Sequence, residues 1–321
     1  MKLAFVFPGQ GSQAIGMLDS IATRPEVAAL VAEADAALGE SLSGLIAGGP
    51  AESLALTVNT QPAMLLAGLA CYRAWRAAGG PDAEAVAGHS LGEYTALTAA
   101  GSFEPGAALR LVRLRAQAMQ EAVPVGSGSM AAILGLDDEQ VIAACRQATA
   151  SFAGQAPTVP RVPDIVEPAN FNAPSQVVIA GSKAAVERAC EVAKSLGAKR
   201  AMPLPVSAPF HSSLLRPAGE RLAIALRDTV PVAPRMPLVN NVDVAVQTDP
   251  AAIVDALVRQ SYSPVRWVEV VRRLESMGIT RLVEFGPGKV LSGLVKRIAP
   301  GLQVTAVTDA ASLDAALQEL A

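Results

Sequence analysis

The segment AVAGHSLGEYTALTAAG, residues 85–101, indicates the fold of this chain more strongly than any other stretch. Its centre, GHSLG at 88–92, matches G-x-S-x-G and lies between a short apolar run and a run of small residues typical of a helix. This is the context of a nucleophile elbow, a sharp turn between a strand and a helix that exposes a serine. The flanking glycines permit the turn because a β-carbon there would collide with the neighbouring strand or helix. Ser90 is therefore the candidate nucleophile, and the alternative is a serine that only caps the helix.

On both sides of this segment, strand-like runs alternate with longer helical patterns. The strand-like runs are LAFVF at 3–7, AVAG at 85–88, PLVNNV at 237–242 and RLVEF at 281–285. Strands that are followed by helices imply a mostly parallel sheet with both faces covered. The chain is therefore predicted to belong to the α/β class.

A different unit, residues 127–205, interrupts this alternation. Its predicted strands and helices follow the order β-α-β-β-α-β, with strands at 129–136, around Asn170, at 176–181 and at 198–205. That order is typical of a ferredoxin-like arrangement. We therefore predict a parallel-sheet core formed by residues 1–126 and 206–321, an inserted ferredoxin-like subdomain, and a site in the cleft between them.

Composition excludes several classes of function. The net charge is −3, with 26 basic and 29 acidic residues among 321, so nucleic acid is not expected as the main ligand. No apolar run approaches the roughly 18 residues that a membrane span needs, and residues 3–7 are too short for a signal peptide. Cys71, Cys145 and Cys190 lack metal-ligand spacing, which predicts reduced packing residues, no metal site and a cytoplasmic protein.

Gly9, Gly11 and Ala14 match the G-x-G-x-x-G/A pattern of a dinucleotide-binding turn directly after a predicted strand. A dinucleotide site also needs a second strand that ends in an acidic residue about 20 positions later. The acidic residues there, Glu33 and Asp35, fall within a helical pattern instead. A nicotinamide site is therefore not favoured, and a tight turn without a function is the other alternative.

A serine hydroxyl needs a base, and the chain contains two histidines. His89 adjoins Ser90, and neighbouring side chains at an elbow point in different directions. Elimination therefore makes His211 the candidate base. No acidic residue that could orient its imidazole is evident, so an amide or carbonyl oxygen is the expected partner.

The helical pattern at 107–122 places Arg115 within its apolar stripe. A buried guanidinium needs an anionic partner, because an unpaired buried charge is strongly unfavourable. Two interpretations follow: a structural salt bridge with a carboxylate of the core, or a bidentate clamp for a substrate carboxylate.

Several motifs along essentially the whole chain together resemble one family: FPGQGSQ, GHSLGEY, RAQAMQEAVP, ANFNAPSQVVIAG, VSAPFHSSL, VRQSYSPVRW and FGPGKVLSGL. The chain is similar to the malonyl-CoA:acyl carrier protein transacylases of fatty-acid synthesis and to the acyltransferase domains of polyketide synthases. The resemblance implies an α/β-hydrolase-like core with a ferredoxin-like insert. A longer Pro-rich loop at about 156–168 departs from the bacterial pattern and concerns the rim of the cleft.

The resemblance also implies roles for individual residues. Ser90 would be acylated, His211 would be its base, and Arg115 would pair with the free carboxylate of the malonyl group. Gln260 would orient His211 in place of an acid, and Asn172 matches a substrate-binding position near the cleft.

In the same family pattern, the backbone N–H groups of Gln10 and Leu91 would form the oxyanion hole. Gly9 and Gly11 would then serve to turn these amides toward the thioester oxygen. Leu91 and Phe210 also fit the family members that select malonyl over methylmalonyl.

The implied reaction is a ping-pong transfer of malonyl from malonyl-CoA to acyl carrier protein, without a metal or other cofactor. Alternatives are a serine esterase or thioesterase, a non-catalytic carrier-binding module, and the acyltransferase of a polyketide or other malonyl-using system. Because acyl carrier proteins are acidic, basic residues are expected beside the cleft. The two candidate clusters are Lys289, Lys296 and Arg297, and Lys199 and Arg200.

Overall fold

The computed structural model describes residues 2–206 and 208–320, which form a mixed α/β structure with two sheets. In chain order the strands are β1 (Leu3–Phe7), β2 (Ala85–Gly88), β3 (Gly128–Leu134), β4 (Val166–Ala173), β5 (Gln176–Ser182), β6 (Arg200–Pro203), β7 (Leu238–Val239), β8 (Val246–Gln247), β9 (Arg281–Phe285) and β10 (Gln303–Val307). The helices are α1 (Pro25–Leu38), α2 (Leu42–Gly48), α3 (Ala51–Leu54), α4 (Thr57–Ala77), α5 (Leu91–Ala99), α6 (Pro105–Glu121), α7 (Asp138–Ala150), α8 (Lys183–Ser195), α9 (Arg216–Asp228), α10 (Pro250–Gln260), α11 (Trp267–Ser276), α12 (Val290–Ile298) and α13 (Ala310–Leu320). A short 3-10 helix, Ser213–Leu215, precedes α9.

The larger sheet has the strand order β10-β9-β1-β2-β7-β8 and is parallel except for β8, which runs antiparallel to β7. Its central strand β1 is buried along its whole length. Alternate residues of β1 enter different cores: Phe5 and Phe7 pack on one face, and Ala4 and Val6 pack on the other. A strand that is apolar on both sides requires cover on both faces. The predicted parallel sheet between two helical layers is confirmed.

The second sheet is antiparallel and has the order β4-β5-β3-β6, with α7 and α8 packed against it. These elements follow one another as β-α-β-β-α-β, as the sequence predicts. Strand β4 also contacts the core directly: Phe171 N–H donates to the carbonyl of Val265, and Val265 N–H donates to the carbonyl of Ala169. The antiparallel sheet is thereby hydrogen-bonded to the loop that precedes α11. The division at residues 127 and 205 stays a proposal.

One predicted strand is much shorter than the prediction. The sequence predicts a strand over residues 237–242, but β7 ends at Val239. The side chain of Asn240 accepts a hydrogen bond from the backbone N–H of Asp243, which closes a local turn. This turn releases Asn241 from the sheet, and the consequence for the site is described below.

Two further observations concern the described part of the chain. No helix within residues 2–206 and 208–320 has the length and hydropathy to cross a membrane. Cys71, Cys145 and Cys190 are buried and free of disulfide bonds.

Candidate active site

The turn between β2 and α5 has the geometry of a nucleophile elbow. Ser90 stands at φ 52° and ψ −107°, a positive φ that is strained for a residue with a side chain. A β-carbon on Gly88 would lie 1.9 Å from the carbonyl carbon of Gly92, and one on Gly92 would lie 2.0 Å from the carbonyl oxygen of Phe7. Both positions therefore require glycine, for the steric reason expected from the sequence.

His211 contacts Ser90 through one ring nitrogen and a main-chain carbonyl through the other. Ser90 Oγ is 2.7 Å from His211 Nε2, and His211 Nδ1 is 2.8 Å from the carbonyl oxygen of Gln260. A carbonyl oxygen can only accept, so Nδ1 carries the hydrogen and Nε2 accepts from the serine hydroxyl. The contact with His211 is therefore made by the backbone of Gln260 and not by its side chain.

The surroundings of His211 keep its imidazole neutral. Burial, and then the positive charge of Arg115, lower the pKa of His211 to about 3. A neutral imidazole is the form that can accept the serine proton.

Arg115 is 1% exposed and reaches the nucleophile directly. Its Nη2 donates to Ser90 Oγ at 3.0 Å and to Gln260 Oε1 at 2.9 Å, and its Nη1 donates to Gln61 Oε1 at 2.7 Å. Its guanidinium carbon lies 5.2 Å from the ring centre of Tyr94. All of these partners are uncharged.

Among the described residues no carboxylate forms a salt bridge with Arg115, although the negative charge of Glu93 acts on the guanidinium through space and raises its pKa. Its Nε also lacks an acceptor there. Burial lowers the pKa of Arg115, but an arginine in a protein stays protonated. The structural salt bridge is therefore the weaker interpretation, and the site carries a buried positive charge next to its nucleophile.

The two proposed oxyanion donors line the same cavity as Ser90. Leu91 is the first residue of α5, where a backbone N–H has no acceptor within its own helix. Gln10 follows β1, in a loop that passes close to the elbow: a β-carbon on Gly9 would lie 2.8 Å from the carbonyl oxygen of His89. Gly11 has a φ of 122°, which strongly favours glycine. The glycines after β1 thus permit a close backbone approach to the elbow.

Sequence reasoning missed Asn241, although this residue binds the backbone N–H of Ser90 and so determines which backbone amides near the nucleophile remain free to bind an oxyanion. Asn241 Oδ1 accepts the backbone N–H of Ser90 at 2.8 Å, and its Nδ2 donates to the carbonyl of Gly88 at 2.7 Å. The N–H of Ser90 is therefore occupied and does not contribute to an oxyanion hole. The only signal in the sequence is an asparagine pair at the end of an apolar run, which does not indicate a contact with the elbow.

His89 and Asn172 form a separate pair at the cavity wall. His89 Nε2 lies 2.8 Å from Asn172 Oδ1, and the imidazole packs 5.7 Å from the indole of Trp267. Burial lowers the pKa of His89. Ser90 Oγ is hydrogen-bonded to His211 and not to His89, in agreement with the elimination made from the sequence.

The cavity has a volume of about 860 Å³ and lies between the two sheets. The core contributes Ser90 and Arg115 to its wall, and the antiparallel sheet contributes Met130, Asn172 and Val178. No residue of the Pro-rich loop, residues 156–168, lines this cavity. Asp164 within the loop accepts hydrogen bonds from Thr158 and Ser182 and so ties the loop to its own subdomain. Pro168, at the end of the loop, lines a smaller pocket that His211 also lines. The relation of the loop to the rim of the cleft stays a prediction.

The family model described as acyl transferase domain matches residues 4–307. The chain belongs to this acyl transferase family. A malonyl CoA-acyl carrier protein transacylase from Salmonella typhimurium is 51% identical over 319 residues, which is 99% of each chain. The corresponding Bacillus subtilis protein is 45% identical over 99% of this chain and 97% of its own length.

Solved structures of acyl transferases superpose closely on this one. An acyl-carrier-protein S-malonyltransferase from Burkholderia pseudomallei has a TM-score of 0.94 at 58% identity, covering 99% of this chain and 100% of its own. A malonyl-transacylase solved in complex with a type II PKS acyl-carrier protein has a TM-score of 0.93 at 49% identity, with the same coverage. In the described part of this acyl transferase, no group of three or more His, Cys, Asp or Glu side chains could hold a metal ion.

Proposed function

We propose that this acyl transferase moves a malonyl group from coenzyme A to the phosphopantetheine thiol of acyl carrier protein, as a step of fatty-acid synthesis. The observation that carries the proposal is the buried guanidinium of Arg115, 3.0 Å from Ser90 Oγ and without a carboxylate partner among the described residues. A malonyl group attached to that oxygen would bring its own carboxylate. The names of the relatives at 45–51% identity agree with this substrate pair.

The first half-reaction acylates the enzyme. His211 Nε2 takes the hydroxyl proton of Ser90 as Oγ attacks the thioester carbonyl carbon. The N–H groups of Gln10 and Leu91 receive the oxyanion of the tetrahedral intermediate, and the positive end of α5 adds to this stabilisation. The intermediate collapses by breaking the carbon–sulfur bond, and coenzyme A leaves as a thiol with the proton that His211 returns.

The second half-reaction repeats these steps with a different nucleophile. The carrier thiol gives its proton to His211, and its sulfur attacks the serine ester carbonyl. Collapse of the second tetrahedral intermediate breaks the bond to Ser90 Oγ, which takes the proton back. Both steps exchange only acyl groups and protons, so we propose that no metal or redox cofactor takes part.

Arg115 would distinguish malonyl from uncharged acyl groups. A planar guanidinium can bind a carboxylate through two parallel hydrogen bonds, and burial strengthens such a pair. The Gln61 and Gln260 amides accept from the guanidinium and so fix its plane before the substrate arrives. Asn172 and the cavity wall of the antiparallel sheet would contact the rest of the donor.

A second candidate function is malonyl supply to a polyketide carrier protein. It is favoured by the likeness to the malonyl-transacylase solved with a type II PKS acyl-carrier protein. Both candidates use the same chemistry and differ only in the carrier protein. Hydrolysis by an esterase or thioesterase is less favoured, because it gives no reason for a buried arginine at the nucleophile.

Intact-protein mass spectrometry tests the proposal. The protein is mixed with malonyl-CoA, and one malonyl adduct is expected on the wild-type chain and none on Ser90→Ala. Addition of holo acyl carrier protein is expected to remove the adduct and to label the carrier. The His211→Ala variant is expected to form the adduct about 10²–10⁴-fold more slowly. Full labelling of Ser90→Ala, or loss of the adduct to water as fast as to the carrier, would contradict the proposal.

We also propose that the protein acts in the cytoplasm. Cys71, Cys145 and Cys190 are buried and unpaired by disulfides, as is usual in a reducing compartment. Fractionation of cells that produce the protein, followed by immunoblotting, tests this proposal.

A further inference from the structure

Glu93 is a fully buried carboxylate, 0% exposed, in the first turn of α5 and three residues from the nucleophile. Its Oε2 accepts from the backbone N–H of Asn241 at 2.9 Å and from Gln260 Nε2 at 3.0 Å. Its Oε1 is buried and has no hydrogen-bond partner among the described residues. A buried carboxylate is costly, so its retention here calls for a role.

The first residue held by Glu93 fixes the elbow. Asn241 follows the turn after β7 and bonds to the elbow on both sides of His89, through Ser90 N–H and the carbonyl of Gly88. β7 has already ended at Val239, and the carbonyl of Asn241 accepts from the backbone N–H of Arg266 in the loop before α11. Its backbone N–H donates to Glu93, and this bond sets its position relative to α5.

The second residue held by Glu93 contacts the nucleophile, the base and the arginine of the proposed mechanism. The side-chain Oε1 of Gln260 accepts from Arg115, its Nε2 also donates to the carbonyl of Ser90, and its main-chain carbonyl accepts from His211. Gln260 is the last residue of α10, where the helix no longer constrains the chain that follows. One carboxylate oxygen thus holds two residues that together fix nucleophile, base and arginine.

We propose that Glu93 is a positioning residue that holds Asn241 and Gln260, and through them Ser90, His211 and Arg115, in their reactive arrangement. It acts by accepting hydrogen bonds and not as the counter-charge of Arg115. The guanidinium forms no salt bridge with Glu93, and the two side chains are connected through the amide of Gln260. This inference rests on the site of the proposed function and adds a residue that does not line the cavity.

Two substitutions separate hydrogen bonding from charge. Glu93→Gln keeps the length of the side chain and one acceptor oxygen but removes the charge. Glu93→Asp keeps the charge but is one methylene shorter, so it cannot reach both donors. If Glu93 positions the site, the glutamine variant is more active than the aspartate variant. If Glu93 serves as a counter-charge, the order is reversed.

Two rates are measured for each variant: malonyl adduct formation and reaction of Ser90 with a small fluorophosphonate, which needs neither Arg115 nor coenzyme A. Glu93→Asp is expected to lower both rates by about 10–10²-fold, since small displacements of reacting groups have effects of this size. Glu93→Gln is expected to lose less than fivefold in both. The ratio of malonyl to acetyl transfer should fall in Glu93→Asp, because Arg115 is also displaced.

Asp164→Asn is the matched control. Asp164 is another buried carboxylate that accepts several hydrogen bonds, but it lies in the Pro-rich loop outside the cavity wall. The Asp164→Asn substitution is expected to lower the melting temperature without changing the rate at which Ser90 of the folded protein reacts with the fluorophosphonate. Equal rates in wild type and Glu93→Asp, or a glutamine variant slower than the aspartate variant, would overturn the inference. If wild type forms no malonyl adduct while the fluorophosphonate rates keep the expected order, the proposed function fails and the inference stands.

Discussion

At the scale of single residues, the two reacting side chains sit on strained backbone. Ser90 and His211 have φ values of 52° and 64°, in a region that residues with a β-carbon seldom occupy. Such strain persists only where the surroundings hold it, and it concentrates at functional sites. At Ser90 the hydrogen bonds of Asn241 and Gln260 supply the restraint. At His211 the carbonyl of Gln260 does so.

Substitution of Arg115 tests its role in selectivity. Arg115→Ala is expected to lower kcat/KM for malonyl-CoA by about 10²–10³-fold, the size of a lost buried charge pair. Acetyl transfer, which lacks that pair, should be unchanged or faster. Arg115→Lys should recover only part of the malonyl activity, because a lysine ammonium cannot form the bidentate pair. An equal loss for both donors would mean that Arg115 supports the fold and that selectivity arises elsewhere.

The low pKa of His211 predicts an unusual pH profile. Burial and the charge of Arg115 lower this pKa to about 3, so the imidazole stays neutral well below pH 6.5. The rate of malonyl adduct formation should therefore not fall as pH decreases from 7 to 5. Single-turnover measurements on Glu93→Gln are the appropriate test, since burial raises the pKa of Glu93 to about 7 and that group would titrate in the same range. An acid limb centred near pH 6.5 in this variant would contradict the prediction.

At the scale of elements, the crossing of β2, α5 and β1 leaves no room for a side chain at the elbow. Gly92→Ala would place a β-carbon 2.0 Å from a backbone oxygen of β1, so α5 or the central strand must move. We expect a loss of at least about 2 kcal/mol in the free energy of unfolding and a large loss of activity, because Ser90 moves with α5. Urea denaturation and the fluorophosphonate rate measure the two effects.

Gly293→Ala is the matched control for this substitution. Gly293 lies within α12 and is exposed, and a β-carbon there would meet no atom within 4 Å. Replacing a helical glycine by alanine without a clash is expected to stabilise by up to about 1 kcal/mol. If both variants lost the same stability, close packing at Gly92 would not be the cause.

At the scale of the whole molecule, a basic cluster that suits an acidic partner adjoins residues of the cavity wall. Lys289 and Lys296 are exposed, and Lys289 directly precedes Val290 and Leu291 of the cavity wall. Arg297 is less available, because its guanidinium donates to the carbonyl of Pro174 and to the side chain of Gln176. The structure therefore singles out the two lysines from the cluster named in the sequence.

Charge reversal at these lysines should weaken carrier binding alone. Lys289→Glu and Lys296→Glu are expected to raise KM for carrier protein by about two- to fivefold each at low salt, and less at high salt. Malonyl adduct formation should stay unchanged. Lys199→Glu compares the second cluster, at the start of β6. If none of the three variants alters KM for the carrier, the carrier docks elsewhere.

Glu93 also makes the stability of the whole molecule depend on pH. Its pKa is raised from about 4.5 to about 7, so the folded state binds this proton more tightly than the unfolded state. The stability that the protonated form provides is complete below pH 4.5 and is lost as pH rises through 7. The free energy of unfolding of Glu93→Gln should therefore increase relative to that of wild type as pH rises from 4.5 to above 7, by about 3 kcal/mol at most. A difference between the two unfolding free energies that is constant from pH 4.5 to 8 would contradict the prediction.

The sequence by itself determined the features that depend on residues close together in the chain or on the composition. The glycines around Ser90 identify the elbow, because only they allow the turn between β2 and α5. The helical period places Arg115 on the buried face of α6, and its 1% exposure agrees with this placement. The count of two histidines makes His211 the candidate base, and the alternation of strands and helices predicts the parallel sheet. Each of these inferences needs only local geometry or arithmetic.

Only the tertiary structure decided what surrounds these residues. Ser90 meets His211, Asn241 and Gln260 across 121, 151 and 170 residues of chain, and no periodicity links such distant positions. The family resemblance implies that Gln260 orients the base, but not that its main-chain carbonyl makes the contact. The sequence predicts an anionic partner for Arg115, but the packing of α4, α6 and α10 gives this side chain only uncharged hydrogen-bond partners. Local pattern determines which face of an element is buried, whereas the identity of the atoms opposite that face depends on how the elements pack.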